Sequence, residues 1–168
     1  MNGGWVIGQW QGKTLALVAA SAACIMQLGA QMFAITMVAS KLVSAPPKSL
    51  AMVEGPFGYD SRAFWEVMPM ATAILMLVAL ISNWRTTRRW LIAASIGLFI
   101  LGGMLAGMLV EPEFAAIAGG GYRDMVDPAL VERGKRWLTL DWAVWGVSSL
   151  AGLTLLLALA RPVAPRNR

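Results

Sequence analysis

The run Ser82-Asn83-Trp84-Arg85-Thr86-Thr87-Arg88-Arg89-Trp90 separates two long apolar stretches, and it holds three arginines, two tryptophans and no acid. A polar break this short leaves two flanking helices no room except to fold back antiparallel. The stretches on either side are each long enough to cross a lipid bilayer, which takes about 20 apolar residues. Basic residues flanked by tryptophan are the composition of a cytoplasmic turn at the membrane interface.

The rest of the chain repeats that pattern. Of its 168 residues 58% are hydrophobic and only 14% charged, where a soluble domain carries about 25% charge. The fold class read from this is all-α, an integral membrane four-helix bundle with two extracytoplasmic connections. The spans fall at about 14–43, 62–83, 90–110 and 137–160, within a single domain over residues 1–168. The first span, about 30 residues or roughly 45 Å, exceeds the roughly 30 Å hydrocarbon core and must tilt or project. Trp5 and Trp10 precede it as interfacial indoles. The apolar run continues well past Ser21-Ala22-Ala23-Cys24, so a cleaved signal or lipoprotein site is rejected.

Breaks and caps mark the connections. Pro46-Pro47 and Gly55-Pro56-Phe57-Gly58 end the first helix's extension. Pro69 sits inside the second helix and leaves the Trp65 carbonyl without its helical donor, which predicts a kink. Gly103-x-x-x-Gly107 predicts a close-packing face on the third helix. Glu111 to Lys135 reads as the second outer connection, with Gly119-Gly120-Gly121 as a hinge. Asp127-Pro128 is an N-cap followed by proline at the first helical position. Glu132 and Arg136 are spaced to pair on the helix that follows.

Charge counting sets orientation. With the arginine turn inside, the inner set is Lys13, Arg85, Arg88, Arg89, Arg161, Arg166 and Arg168, without an acid. The other seven basic residues and all nine acids lie on the outer side. The numbers of basic residues tie, but the inner ones sit tightly at helix ends, which favours both termini in the cytoplasm. The expected location is a bacterial inner (plasma) membrane, multi-pass. The net charge of +5 follows from this flanking bias, and no nucleic acid partner is expected.

Histidine is absent. That removes the commonest general base and the commonest ligand for transition metals. The chemistry left is carboxylate chemistry. Glu66 lies 18 residues from Trp84, Glu111 21 from Trp90, Asp141 20 from Arg161 and Gln31 18 from Lys13. At 1.5 Å per residue all four fall about 27–31 Å from the inner edge. If they face inward, they form a polar ring at the outer mouth. Glu66, Glu111 and Asp141 are the candidate catalytic carboxylates. Gln31, Glu113 and Arg136 could contact a polar group, with Arg62 near, and Trp65, Trp142 and Trp145 could line the space beneath. Acids at helix ends also simply mark where water begins. Carboxylates alone suit a hard cation such as Ca²⁺ or Mg²⁺, but no ligand spacing supports one, so no metal and no cofactor are expected. The methionines of the spans read as core filling.

Several runs resemble a family of small four-helix membrane proteins that includes the anthrone oxygenases. They are Gly29-Ala30-Gln31 in the first helix, Phe64-Trp65-x-x-Met68-Pro69 opening the second, Glu111-Pro112-Glu113-Phe114 closing the third and Lys135-Arg136-Trp137-x-x-x-Asp141-Trp142 entering the fourth. The resemblance spans about residues 15–160. Where the family usually has Pro-x-Asn and a histidine or asparagine, this chain has Pro112-Glu113-Phe114 and Asp141. The resemblance implies a metal-free enzyme on a lipophilic or polycyclic substrate, with proton abstraction by a carboxylate and oxygen reacting at the carbanion. The competing expectation is a structural or accessory subunit of a larger membrane complex. The expected partners are the lipid bilayer, a lipophilic small molecule, and a homo-oligomer or larger complex. A small proton or cation carrier is a third reading, disfavoured by four short spans without a repeat.

Overall fold

The computed structural model describes residues 3–162, with side chains described from residue 12 onward. Trp5, Trp10, Arg166 and Arg168, called above, have side chains outside the described part. Helix α1 spans Gly3–Phe33 and continues through a π-helical stretch, Ala34–Ala39, into a last turn at Ser40–Leu42. Helix α2 is Arg62–Ser82, with Pro69 inside it. Helix α3 is Arg89–Leu105; it passes through a second π-helical stretch, Ala106–Val110, into α4, Glu111–Ala118. Helix α5 is Pro128–Ala160. Among the described residues no strand forms, and Pro47 and Val126 make a single isolated bridge. Four helical stretches are long and apolar enough to cross a membrane: Gly12–Leu42, Arg62–Ser82, Arg89–Ala118 and Pro128–Ala160.

The third stretch overruns its expected end. The expected end is about Val110, with Glu111 opening the connection, and a proline at 112 has no N–H to continue the usual helical ladder. The chain instead winds in one extra residue. The Glu111 N–H bonds to the Ala106 carbonyl, five residues back, and the widened turn takes Pro112 without ending the helix. The helix runs on to Ala118. At α5 the predicted start is found: Asp127 Oδ1 accepts from the Ala129 N–H at 2.8 Å, with Pro128 in the first turn.

The helices pack as a ring, α2 along α1, α1 along α5, α5 along α3, and α3 back to α2. Two buried clusters fill it. Toward the arginine turn, Leu17, Ala20, Cys24, Met76, Ala79, Ile92, Leu155 and Ala158 draw on all four long helices. At the other end, Ala39, Leu42, Val43, Leu50, Val110, Ile117, Trp137 and Val144 form a second cluster. It takes no residue from α2. The N-terminal half of α2 accordingly presents Phe64, Val67 and Met70 as exposed side chains.

Four hydroxyls of the long helices are satisfied locally. Ser21, Thr72, Thr139 and Thr154 donate to carbonyls one turn back, as a water-free environment requires. Ser95 Oγ crosses from α3 to the Ala151 carbonyl of α5 at 2.7 Å. The tightest glycine contact on this helix pair is Gly102, where an added Cβ would lie 2.8 Å from Ser148 Oγ. The expected face at Gly103 and Gly107 is not used inside the bundle. Both are exposed, and an added Cβ would meet nothing within 4 Å.

Gly134 shows the opposite case. It is buried in α5, and an added Cβ would lie 2.7 Å from Val43 Cβ and 3.4 Å from Val43 Cα. The β-branched Val43 cannot swing clear. Gly134→Ala should therefore destabilise the fold by about 2 kcal/mol, the scale of overpacking in a filled core, measured as a lower melting temperature in detergent.

The two connections at the end away from the arginine turn are zipped together. The Asp127 N–H donates to the Pro46 carbonyl at 2.9 Å and the Tyr122 N–H to Glu54 Oε1 at 2.7 Å. Lys48 pairs with Asp124 at 2.7 Å. The pairing lowers the Asp124 carboxyl below its ordinary value, first through the hydrogen bond and then through the charge of Lys48. Both side chains are exposed, so solvent and salt screen the pair.

At the arginine turn, Arg88 departs from its expected role. Charge counting treats it as an exposed interfacial cation, yet it is 4% exposed. Its Nε donates to the Arg161 carbonyl at 2.8 Å, its Nη2 to the Leu159 carbonyl at 3.1 Å and its Nη1 to Thr14 Oγ1 at 3.3 Å. These carbonyls belong to the C-terminal end of α5, which has no helical donors left and carries the negative end of the helix dipole. Beside it Asn83 Nδ2 donates to the Lys13 carbonyl at 3.0 Å. Burial pulls Arg88 below the ordinary arginine range.

A polar seam between the first and last helices

Gln31 on α1 and Asp141 on α5 meet across the bundle. The Gln31 amide donates from Nε2 to Asp141 Oδ1 at 3.2 Å. One helical turn further in, Trp145 Nε1 donates to the Leu28 carbonyl at 3.1 Å. Trp142 packs edge-on against Trp145, with centroids 5.6 Å apart and planes at 82°. Asp141, Trp145 and Ser149 are spaced by four residues, so they rise along one face of α5. Gln31 and Gln27 do the same on α1.

The seam holds unused hydrogen-bonding capacity. Gln27 Oε1 and Ser149 Oγ are buried and have no partner among the described residues. Buried polar atoms are nearly always satisfied, and each exception asks for an explanation. Sequence reading missed both residues. The signal was present in the four-residue spacing of Gln27 with Gln31 and of Ser149 with Trp145, but neither side chain is charged and neither falls at the depth of the outer carboxylates.

The remaining candidates divide. Glu111 is exposed on the neighbouring helix and stands within electrostatic reach of Asp141. Glu113 is occupied: its Oε2 meets Arg133 Nε at 2.7 Å and its Oε1 meets Arg136 Nη2 at 2.6 Å. Arg136 thus pairs across to α4, while Glu132 pairs with Lys135 at 2.6 Å instead of with Arg136 as its spacing predicted. This clamp joins α4 to α5 at the end away from the arginine turn. An open cleft of about 340 Å³ lies beside it, lined by Ala129, Glu132, Arg133 and Arg136.

Glu66 is exposed on α2 and makes no hydrogen bond or ion pair among the described residues. Trp65 packs edge-on against Phe64 of its own helix, 5.0 Å between centroids. The Arg62 backbone N–H bonds to Asp60 Oδ1 at 2.9 Å. The structure thus brings Gln31 and Asp141 into contact, sets Glu111 near them, and leaves Glu66, Trp65 and Arg62 apart on α2. The N-terminal half of α2 stays out of the second buried cluster. Among the described residues no group of three or more histidine, cysteine or acidic side chains converges as a metal site.

No family model, no curated protein and no solved structure matches this chain.

Proposed function

We propose that the chain is a multi-pass membrane enzyme that removes an acidic proton from a lipophilic, polycyclic substrate, with Asp141 as the base. The observation that carries this reading is the Gln31–Asp141 hydrogen bond between two spanning helices. Ionisable groups turned into a membrane bundle usually serve function, because placing them there is costly. The amide engages one oxygen of Asp141, and among the described residues no donor reaches the other, which leaves that oxygen for a substrate. The unsatisfied Gln27 Oε1 and Ser149 Oγ would hold polar groups of the same molecule, and Trp142 and Trp145 would give it apolar walls. A substrate dissolved in the bilayer would enter on the α2 side, where the outer cluster is open.

The balanced reaction uses dioxygen as co-substrate. A methylene flanked by aromatic rings and activated by a carbonyl gives its proton to Asp141. The carbanion passes its electrons to dioxygen and becomes a hydroperoxide on taking a proton back. Loss of water leaves a second carbonyl, with one oxygen atom in the product and the other in water. This is the anthrone-oxygenase-like chemistry that the sequence resemblance implies. Both termini are assigned to the cytoplasm of a bacterial inner membrane, which a C-terminal reporter fusion active only in the periplasm would contradict. The test of activity is turnover of an anthrone by purified protein stripped of metal and flavin, followed as dioxygen uptake. Uptake above the spontaneous rate is expected, and a rate equal to it would remove the enzyme reading.

One observation favours a second reading. Gly103 and Gly107 are exposed, with open space where side chains would lie. A glycine face turned outward lets another transmembrane helix approach closely, as an accessory subunit of a larger complex would need. Extraction in mild detergent separates the two. A stable assembly with other chains supports the accessory role, and the chain alone or as a homo-oligomer supports the enzyme.

A further inference from the structure

At the opposite end of the bundle, the arginine turn builds a second feature that the seam does not use. Leu80 and Trp84 from the α2 side, and Arg89, Trp90 and Ala93 from the α3 side, line a crevice of about 120 Å³. The Arg89 guanidinium lies 4.6 Å from the Trp90 ring centroid and 5.8 Å from that of Trp84. Both indoles are largely exposed, at 58% for Trp84 and 68% for Trp90. Arg88 is consumed by the end of α5. Arg85 and Arg89 are different: among the described residues no carboxylate pairs with either. The crevice is therefore apolar at its base and cationic at its rim, with the cation held in place by two aromatic faces.

We propose that this crevice binds an anionic glycerophospholipid, with its phosphate on Arg89, assisted by Arg85, and the upper part of an acyl chain against Leu80 and Ala93. Charge complementarity selects the ligand. Guanidinium forks match phosphate oxygens and retain their charge at any physiological pH. Indoles favour the headgroup level, where the turn lies if α2 and α3 cross the bilayer. The crevice is too small for a whole lipid and fits one whose remaining chain lies along the outside of the helices. A zwitterionic lipid offers the same phosphate, but its own cation would sit against two arginines.

The experiment uses the purified full chain in phosphatidylcholine nanodiscs, to which phosphatidylglycerol is added. Retained lipid is read by native mass spectrometry and melting temperature in parallel. The wild type should retain phosphatidylglycerol over phosphatidylcholine and melt higher as it is added. Arg89→Gln should lower that retention about fivefold, the effect of one basic residue at an anionic surface. Helical content is checked first by circular dichroism; should Arg89→Gln not fold, Trp84→Leu takes its place and should likewise lose the preference, since it releases the guanidinium from one of its two rings. Equal retention of both lipids by the wild type would overturn the proposal, as would undiminished preference in the folded variant. Stabilisation by inorganic phosphate alone, matching that by phosphatidylglycerol, would assign the site to a free anion and overturn it equally.

Discussion

Asp141→Asn should lower anthrone turnover by about 10²–10⁴-fold, the range a positioned general base contributes, while leaving the fold intact. The substitution keeps the acceptor oxygen that Gln31 Nε2 reaches at 3.2 Å. It keeps the volume as well, so neither buried cluster should change. What it removes is the basic lone pair. The conservative nature of the change makes the prediction sharp, because a melting temperature near wild type and a lost rate must occur together. Gln31→Leu tests the positioning role separately. The carboxylate stays but loses its amide donor, and the pH at which the rate reaches half its maximum should shift. A merely structural glutamine would alter the melting temperature without moving that profile. Glu66→Gln, on the exposed side of α2, should leave the rate within about twofold, because nothing joins Glu66 to the seam.

Arg88→Ala should destabilise the chain by about 3–4 kcal/mol, the largest effect expected of any single side chain at the arginine-turn end. Hydrogen bonds from a charged donor contribute about 1.5–3 kcal/mol each. Here one guanidinium holds the Arg161 and Leu159 carbonyls of α5 and reaches Thr14 on α1. Their sum is discounted because carbonyls at the end of a helix can rehydrate once the side chain is gone. Arg88→Lys keeps the charge but loses the fork, and should fall between the two. Melting in detergent measures both, and Arg85→Ala, whose side chain is exposed, serves as the control that should change little. A result in which Arg85→Ala and Arg88→Ala behave alike would mean that Arg88 acts only as an interfacial charge.

The same two residues show how much was legible in the sequence. Counting residues from the inner edges placed Gln31 and Asp141 at one depth, and they do meet. That works because helix rise is fixed and both helices are continuous between the edge and the residue. Asp127-Pro128 was legible for a similar reason, since a cap is a local pattern. Arg88 was not. The sign of a charge predicts the side of a membrane, but whether a guanidinium faces water or a neighbouring helix end depends on which helices are adjacent. The glycines at 103 and 107 failed likewise: the spacing marks a smooth face without saying what it faces. The helix beyond Glu111-Pro112 was hidden because a π-helical turn absorbs a proline that the usual ladder would reject. Glu113 could not be paired from sequence, because Arg133 and Arg136 approach it from a different helix. The zipping of the two connections through Pro46, Glu54, Tyr122 and Asp127 has no sequence signal.

In the proposed function Asp141, held by Gln31 between two long helices, takes a proton from a substrate carbon, and every later step depends on that transfer. It is tested most directly with dioxygen excluded, so that abstraction is read without oxidation. An anthrone deuterated at its activated methylene is incubated anaerobically with the protein in nanodiscs, and loss of deuterium to solvent is followed by mass spectrometry. Wild-type protein should accelerate the exchange well above the spontaneous rate, and folded Asp141→Asn should return it to that rate. Exchange that proceeds equally in the variant, or that folded wild-type protein does not accelerate at all, would contradict the account.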